Sequence, residues 1–229
     1  VANQKGGVAK TTSVHSLGAA LVESGHRVLM VDLDPQACLT YSNGIDPDAL
    51  EISLHDVMLG RAKAQEVLRE FGDLHLLPAS IDLAGAEVHL LSRTGREYVL
   101  KRALQPLLPS YDIVLIDCPP SLGILTINGL TAAQEVLIPL QCETLSGRGV
   151  GQLLETIEDV RSFTNPDLAV RGVIATLFDS RTKLAQQVVQ NVPDKYGLIV
   201  LDPPIPKSVK VAEAPGCGRS ILTHSPSAP

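Results

Sequence analysis

The sequence predicts a doubly wound α/β fold: a mainly parallel sheet with helices on both faces. Three observations lead there. Short runs rich in Val, Ile and Leu alternate with longer stretches of helical spacing, the pattern of strand–helix–strand crossovers. The short runs are almost continuously apolar, as strands buried on both faces must be. Several of them end in an acid or in Asp-x-Asp-Pro or Asp-x-Pro-Pro, placing polar groups where the strands leave the sheet.

The elements follow in order. The chain opens without Met inside an apolar stretch, read here as a first strand entered partway along. A helical pattern covers 11–23. Strands are expected at 27–34 (RVLMVDLD), 74–77, 112–117 (DIVLID), 136–140, 170–177 and 198–201, with further helices at 96–108, 151–163 and 182–192. No internal repeat or low-complexity linker divides the chain. Residues 1–222 read as one domain, and 223–229, Pro/Ser-rich, read as a frayed tail.

Composition narrows the function. The 229 residues, 45% of them hydrophobic, suffice for one substantial core. No apolar run approaches the roughly 18 residues that cross a bilayer, and no signal-peptide pattern is visible, so a cytoplasmic protein is expected. Cys38, Cys118, Cys142 and Cys217 form no C-x-x-C pair, which fits reduced thiols. An iron–sulfur cluster shared across a dimer through Cys118 and Cys142 stays open as an alternative. The net charge of −6 argues against a globally basic nucleic-acid binder. The charge is uneven, however. Residues 1–170 carry 12 Lys/Arg against 21 Asp/Glu, and residues 171–229 carry 7 against 4. An anionic polymer would therefore meet the C-terminal third.

Three motifs carry chemistry. The stretch QKGGVAKTT (4–12) resembles a phosphate-binding loop in which Gln4 and Ala9 stand at the two glycine positions of G-x-x-x-x-G-K-[ST]. Gly6 and Gly7 permit turns that aim successive N–H groups inward, Val8 and Ala9 continue the loop, and the following helix adds its positive end. Lys10 would reach the β- and γ-phosphates, Thr11 would set its hydroxyl on Mg²⁺, and Thr12 would lie near the α-phosphate. In LMVDLDPQ, Asp32 and Asp34 are two apart at a strand end and so share a face. They could order metal-bound water and align an attacking one. In YDIVLIDCPPS, Asp117 ends an apolar strand as a Mg²⁺ acid would, and Pro119-Pro120 makes a rigid exit.

Together NQKGGVAKTT, VDLDPQ, DCPPSLG, IPLQCE and IPKSVKVAEAP resemble the ParA/Soj chromosome- and plasmid-partitioning ATPases, deviant Walker A members of the SIMIBI P-loop class. The family loop reads K-G-G-x-G-K-[ST], so Gln4 is no defect. Ala9 departs from it, and its methyl must tolerate a close helix–loop approach. The resemblance implies ATP and Mg²⁺ as ligands and slow hydrolysis. It implies an ATP-bound homodimer in which Lys5, the signature lysine, touches the nucleotide of the other subunit. It makes Asp34 the water-orienting acid and Asp117 the Mg²⁺ acid, and it sets Pro206 and Lys207 beside the adenine. It also implies non-specific DNA binding, nucleoid association and stimulation by a ParB-type centromere-binding protein. Arg181 and Lys210 match basic residues of the family's DNA surface, and Lys183, Lys207 and Arg219 are nearby in sequence. With 3% aromatic residues, phosphate contacts rather than base stacking are expected.

Relatives commonly carry a further helix after the AEAP segment, whereas here a Pro/Ser tail follows. No membrane-targeting amphipathic helix of the MinD kind is seen. A MinD-like positioning ATPase, an iron–sulfur reductase of the nitrogenase iron-protein kind, and a nucleotide-gated scaffold for another cargo remain the alternatives.

Overall fold

The computed structural model describes residues 1–142 and 147–227. Its strands are β1 (Val28–Asp32), β2 (Arg69–Phe71), β3 (Leu74–Leu77), β4 (Ile113–Asp117), β5 (Glu135–Gln141), β6 (Ala169–Thr176) and β7 (Val200–Leu201). They form two ladders, β2-β3-β1-β4 and β5-β6-β7. All pairings are parallel except β2 with β3.

Residues 1–3 join the two ladders. The Val1 amino group donates to Ile116 O at 2.6 Å, and Cys118 N donates to Val1 O at 3.2 Å. On the other side Ala2 N donates to Leu137 O at 3.1 Å. The opening apolar stretch thus lies between β4 and β5, as a central strand would.

Eleven α-helices surround the sheet among the described residues: α1 (Lys10–Glu23), α2 (Cys38–Ser42), α3 (Leu54–Leu59), α4 (Ala64–Val67), α5 (Leu83–Leu91), α6 (Val99–Leu104), α7 (Ile124–Ala132), α8 (Gly147–Phe163), α9 (Lys183–Tyr196), α10 (Val209–Glu213) and α11 (Ile221–His224). β1 shows why both sheet faces are covered. Leu29 and Val31 enter the large core with α3 to α8, while Val28 and Met30 enter the smaller one with Val14 of α1 and Leu39 of α2. Every residue of β1 is buried, so its side-chain alternation feeds two apolar layers instead of one. On the α1 side, a Cβ on Gly18 would stand 2.8 Å from Met30 Sδ, so this glycine sets how closely α1 approaches β1.

The six expected strands at 27–34, 74–77, 112–117, 136–140, 170–177 and 198–201 are present: β3 as expected, β1, β4 and β7 shorter, β5 one residue longer at each end, and β6 one residue earlier. The expected helix 96–108 is a 3₁₀ turn at Arg96–Tyr98 followed by α6, because Pro106 stops it early. The expected helix 182–192 continues through Pro193 to Tyr196 and ends on Gly197 at φ 65°. The segment read as tail contributes Thr223 and His224 to α11, capped by the Ser220 hydroxyl, which accepts from Thr223 N at 3.3 Å. Ala228 and Pro229 lie outside the described residues, as does Glu143 of the IPLQCE motif.

Candidate nucleotide site

The sheet's C-terminal edge holds the loop at two points. Asn3 is buried, donates from Nδ2 to Pro139 O of β5 at 2.7 Å, and accepts from Lys5 N at 3.0 Å. At the end of β6 the buried Thr176 hydroxyl donates to Val8 O at 3.0 Å. The loop entry and its middle are therefore fastened to different strands. Gly7 takes φ 72° and Ala9 takes φ 65°, ψ 35° immediately before α1. A glycine would take this left-handed backbone without strain. Ala9 holds the same turn at a steric cost of about 1–2 kcal/mol.

Lys10, only 6% exposed, folds its Nζ back onto Lys5 O at 3.1 Å. Burial lowers its pKa, opposed by the negative charges of Asp117 and Asp34. Lys5 donates from Nζ to Gln141 Oε1 at 3.4 Å at the end of β5.

Asp32 and Asp117 are register partners on β1 and β4, both fully buried. Asp32 is well supported. It accepts from Thr40 N at 2.8 Å, Thr40 Oγ1 at 2.7 Å and Asp34 N at 3.3 Å. Even so, burial and then the charge of Asp117 push its pKa up to about 7. Asp34, just past the end of β1, fixes its own turn by accepting Gln36 N at 3.0 Å on Oδ1. Asp117 differs: neither carboxylate oxygen has a hydrogen-bond partner. Burial pushes its pKa up to about 6, with Asp34 adding to the rise, while the Thr11 hydroxyl nearby and Lys10 favour the charged form.

A buried, unpartnered carboxylate costs several kcal/mol unless something satisfies it. Beside Thr11, Lys10 and Asp34, a hydrated Mg²⁺ would do so, since that ion takes one or two carboxylates and shares its remaining positions with water and phosphate. The described residues contain no set of three or more His, Cys, Asp or Glu gathered to hold a metal by themselves.

The segment assigned to the adenine lies at the same sheet end. Ile205 N donates to Ala175 O at 2.7 Å, next to Thr176, and Phe178 pairs in parallel with Pro206. Lys207 N donates to Phe178 O at 3.3 Å. The sequence-nominated basic residues are less uniform. Arg181 lies before α9 and forks onto Asp179, Nε to Oδ1 at 2.9 Å and Nη2 to Oδ2 at 2.8 Å. That pairing holds the Asp179 carboxyl down at about 2. Lys210 of α10 pairs with Glu213 at 2.9 Å. Lys183 opens α9 and is exposed, as is Arg219. Arg181 and Lys210 thus stand on separate elements, each already joined to an acid.

Cys118 and Cys142 are buried, and all four cysteines are free. Buried thiols do not present the surface-facing pair a shared cluster needs.

A family described as an AAA domain matches residues 1–170. The chromosome-partitioning ATPase Soj of Treponema pallidum is 46% identical over 224 residues, covering 97% of this chain and 87% of that one. The chain belongs to the ParA/Soj family of ATPases. The sporulation initiation inhibitor protein Soj of Bacillus subtilis is 42% identical, covering 99% of this chain and 90% of that one. Among solved structures, a Mycobacterium smegmatis protein named cobyrinic acid a,c-diamide synthase, with bound ATP analogue and magnesium, superposes with TM-score 0.87. It is 57% identical over 99% of this chain and 94% of its own. The apo McdA structure from Cyanothece superposes with TM-score 0.89 at 25% identity.

Within the ParA/Soj family reading, four residues of the site escaped the sequence analysis: Asn3, Thr40, Gln141 and Thr176. Single polar residues inside apolar runs are the available signal for the two threonines, because a buried hydroxyl must have found a partner. Gln141 carries no such mark.

Proposed function

We propose that this chain is an ATP-dependent partitioning switch. It binds Mg²⁺·ATP at the 4–12 loop, pairs with a second copy in that state, and separates after hydrolysis. The observation that carries the reading is the orphaned carboxylate of Asp117, buried beside Lys10, Thr11 and Asp34. That grouping matches the needs of a triphosphate and its cation, and the relatives' names supply the cellular role.

The roles follow from position. Thr11 and Asp117 would hold Mg²⁺, with Asp34 at its edge, and the bound ion would supply positive charge to the β- and γ-phosphates. Lys10 leaves the Lys5 carbonyl and meets the phosphates. Gly6, Gly7, Val8 and Ala9 cradle them with backbone N–H groups, and Thr12 lies near the α-phosphate. Asp34, set by its own turn, orients the water that attacks the γ-phosphorus. Pro206 and Lys207 flank the base. Lys5 reaches across to the partner's nucleotide, where added positive charge offsets the burial of two triphosphates.

In the dimer, two copies of Arg181, Lys183 and Lys210 face the DNA backbone. Arg181 and Lys210 first exchange their acids for phosphates, which makes retention steeply salt-dependent. A ParB-type protein stimulates hydrolysis, and nucleoid association follows from the DNA contact. Among the described residues no helix is long and apolar enough to cross a membrane.

The test is retention on non-specific duplex DNA with ATP, ADP or no nucleotide over a salt series. ATP-only retention that falls with salt supports the switch; retention independent of nucleotide refutes it. The Mycobacterium smegmatis name raises a second reading, ATP-dependent amide formation on a corrin acid. Stimulation of ATP turnover by cobyrinic acid with an ammonia donor, and none by DNA with a centromere-binding protein, is the result that would favour it.

A further inference from the structure

We propose that a groove between the α3–α4 turn and α6 docks an acidic, amphipathic segment of a partner protein. The groove is separate from the nucleotide loop. It encloses about 530 Å³, with Val57, Ala64, Val99, Ala103 and Pro106 among its apolar lining. Its rim is cationic, formed by Lys63, Arg93 and Arg102. A second hollow of about 410 Å³ shares Arg93 and adds Arg61 and His89. Neither hollow has an acidic side chain in its lining.

Charge makes this location unusual. The chain carries −6 overall, and residues 1–170 hold only 12 Lys/Arg. Four of those twelve line this one continuous feature. Among the described residues none of the four makes an ion pair, whereas Arg27, Arg96, Arg161, Arg171, Arg181 and Lys210 all do. Arg93 is steadied by donating from Nη1 to Met58 O at 3.2 Å, and the Arg102 guanidinium lies 5.9 Å from the Tyr98 ring. Two of the cations are thus held by neutral groups that leave their charge uncompensated. In an acidic protein such a cluster carries a standing repulsion, which a ligand of opposite charge relieves.

The apolar floor decides between ligands. A phosphate backbone would gain nothing from Val57, Val99 and Ala103, and the lining holds no aromatic side chain to stack a base. A peptide helix places apolar residues at i, i+3, i+4 and i+7 into such a floor and sets carboxylates on the rim. The groove faces the core that α3 to α8 share, on the sheet side opposite α1. Occupancy therefore leaves the loop accessible, and the proposal stands whether or not the partitioning role does.

The probe is a short fluorescein-labelled peptide with Leu at i, i+3, i+4 and i+7 and Glu elsewhere, compared with its Lys counterpart and with a short DNA duplex. Anisotropy is expected to show the Glu peptide bound about tenfold more tightly than the Lys peptide. Arg93→Glu with Arg102→Glu is expected to weaken it about tenfold while ATP turnover is unchanged. As a readout that needs no variant, the backbone amides of Ala62, Ala64 and Ala103 in the wild-type chain should shift in an NMR titration. Equal affinity for both peptides, or unmoved amides, overturns the proposal. So does displacement of the Glu peptide from these amides by the DNA duplex, which would assign the groove to nucleic acid.

Discussion

Asp117 combines full burial without a hydrogen-bond partner and a clear chemical purpose. Its pKa, raised to about 6, and that of Asp32, raised to about 7, both exceed the ordinary 3.8. Between those values the folded chain binds more protons than the unfolded one, so stability falls as pH rises through the window. In buffer free of Mg²⁺ and nucleotide, Tm is expected to rise as pH is lowered from 7 to 6. Asp117→Asn removes one of the buried charges. It should raise Tm at pH 7, flatten that pH dependence and abolish Mg²⁺-dependent ATP binding. A variant less stable than wild type at pH 7 would show that the carboxylate is satisfied in a way the structure does not display. Ala9 offers a second residue-level check. Glycine carries no left-handed penalty, although it loses more chain entropy on folding. Ala9→Gly is therefore expected to stabilise by about 1 kcal/mol in chemical denaturation, with ATP affinity kept or improved.

At the scale of elements, the loop depends on strands far away in sequence. Thr176 of β6 reaches Val8 across 168 positions. Thr176→Val keeps the shape and removes the hydrogen bond. It should cost about 1 kcal/mol of stability and, through a looser loop, about fivefold in ATP affinity by calorimetric titration. Unchanged affinity would mean that the loop is positioned from Asn3 and α1 alone. The strands were legible because apolar runs ending in acids identify buried parallel strands and the side they exit. The remaining helices lack a readable period for physical reasons. Seven of the nine residues of α7 are buried, so it has no polar face to generate a period. α5 exposes Val88 and Leu91, which blurs its period in the opposite way. β2 is a three-residue antiparallel edge, too short to alternate visibly. α3 did have a readable start, since Ser53 and Asp56 form a capping box. The loop and all three acids were readable from type and spacing. Their tethers were not, because tertiary pairing leaves no local period.

Across the whole molecule, one chemical centre is proposed to drive one change of assembly. In the proposed switch Lys10 and Asp34 act within a chain, whereas Lys5, at the loop entry and bonded to the Gln141 side chain, meets the second copy. Asp34→Ala should bind ATP, fail to hydrolyse it and persist as a dimer, visible as a doubled mass by light scattering. A monomeric Asp34→Ala chain under saturating ATP would remove that acid from the hydrolytic step. Loss of the Lys5 charge should act at the assembly itself. The most direct measurement is therefore the solution mass of Lys5→Ala beside wild type, each with Mg²⁺·ATP and with Mg²⁺·ADP. The wild-type chain of 24.3 kDa is expected to double in mass with ATP alone, and Lys5→Ala to stay monomeric with either nucleotide while still binding ATP. A Lys5→Ala chain that doubles with ATP as wild type does would contradict the account.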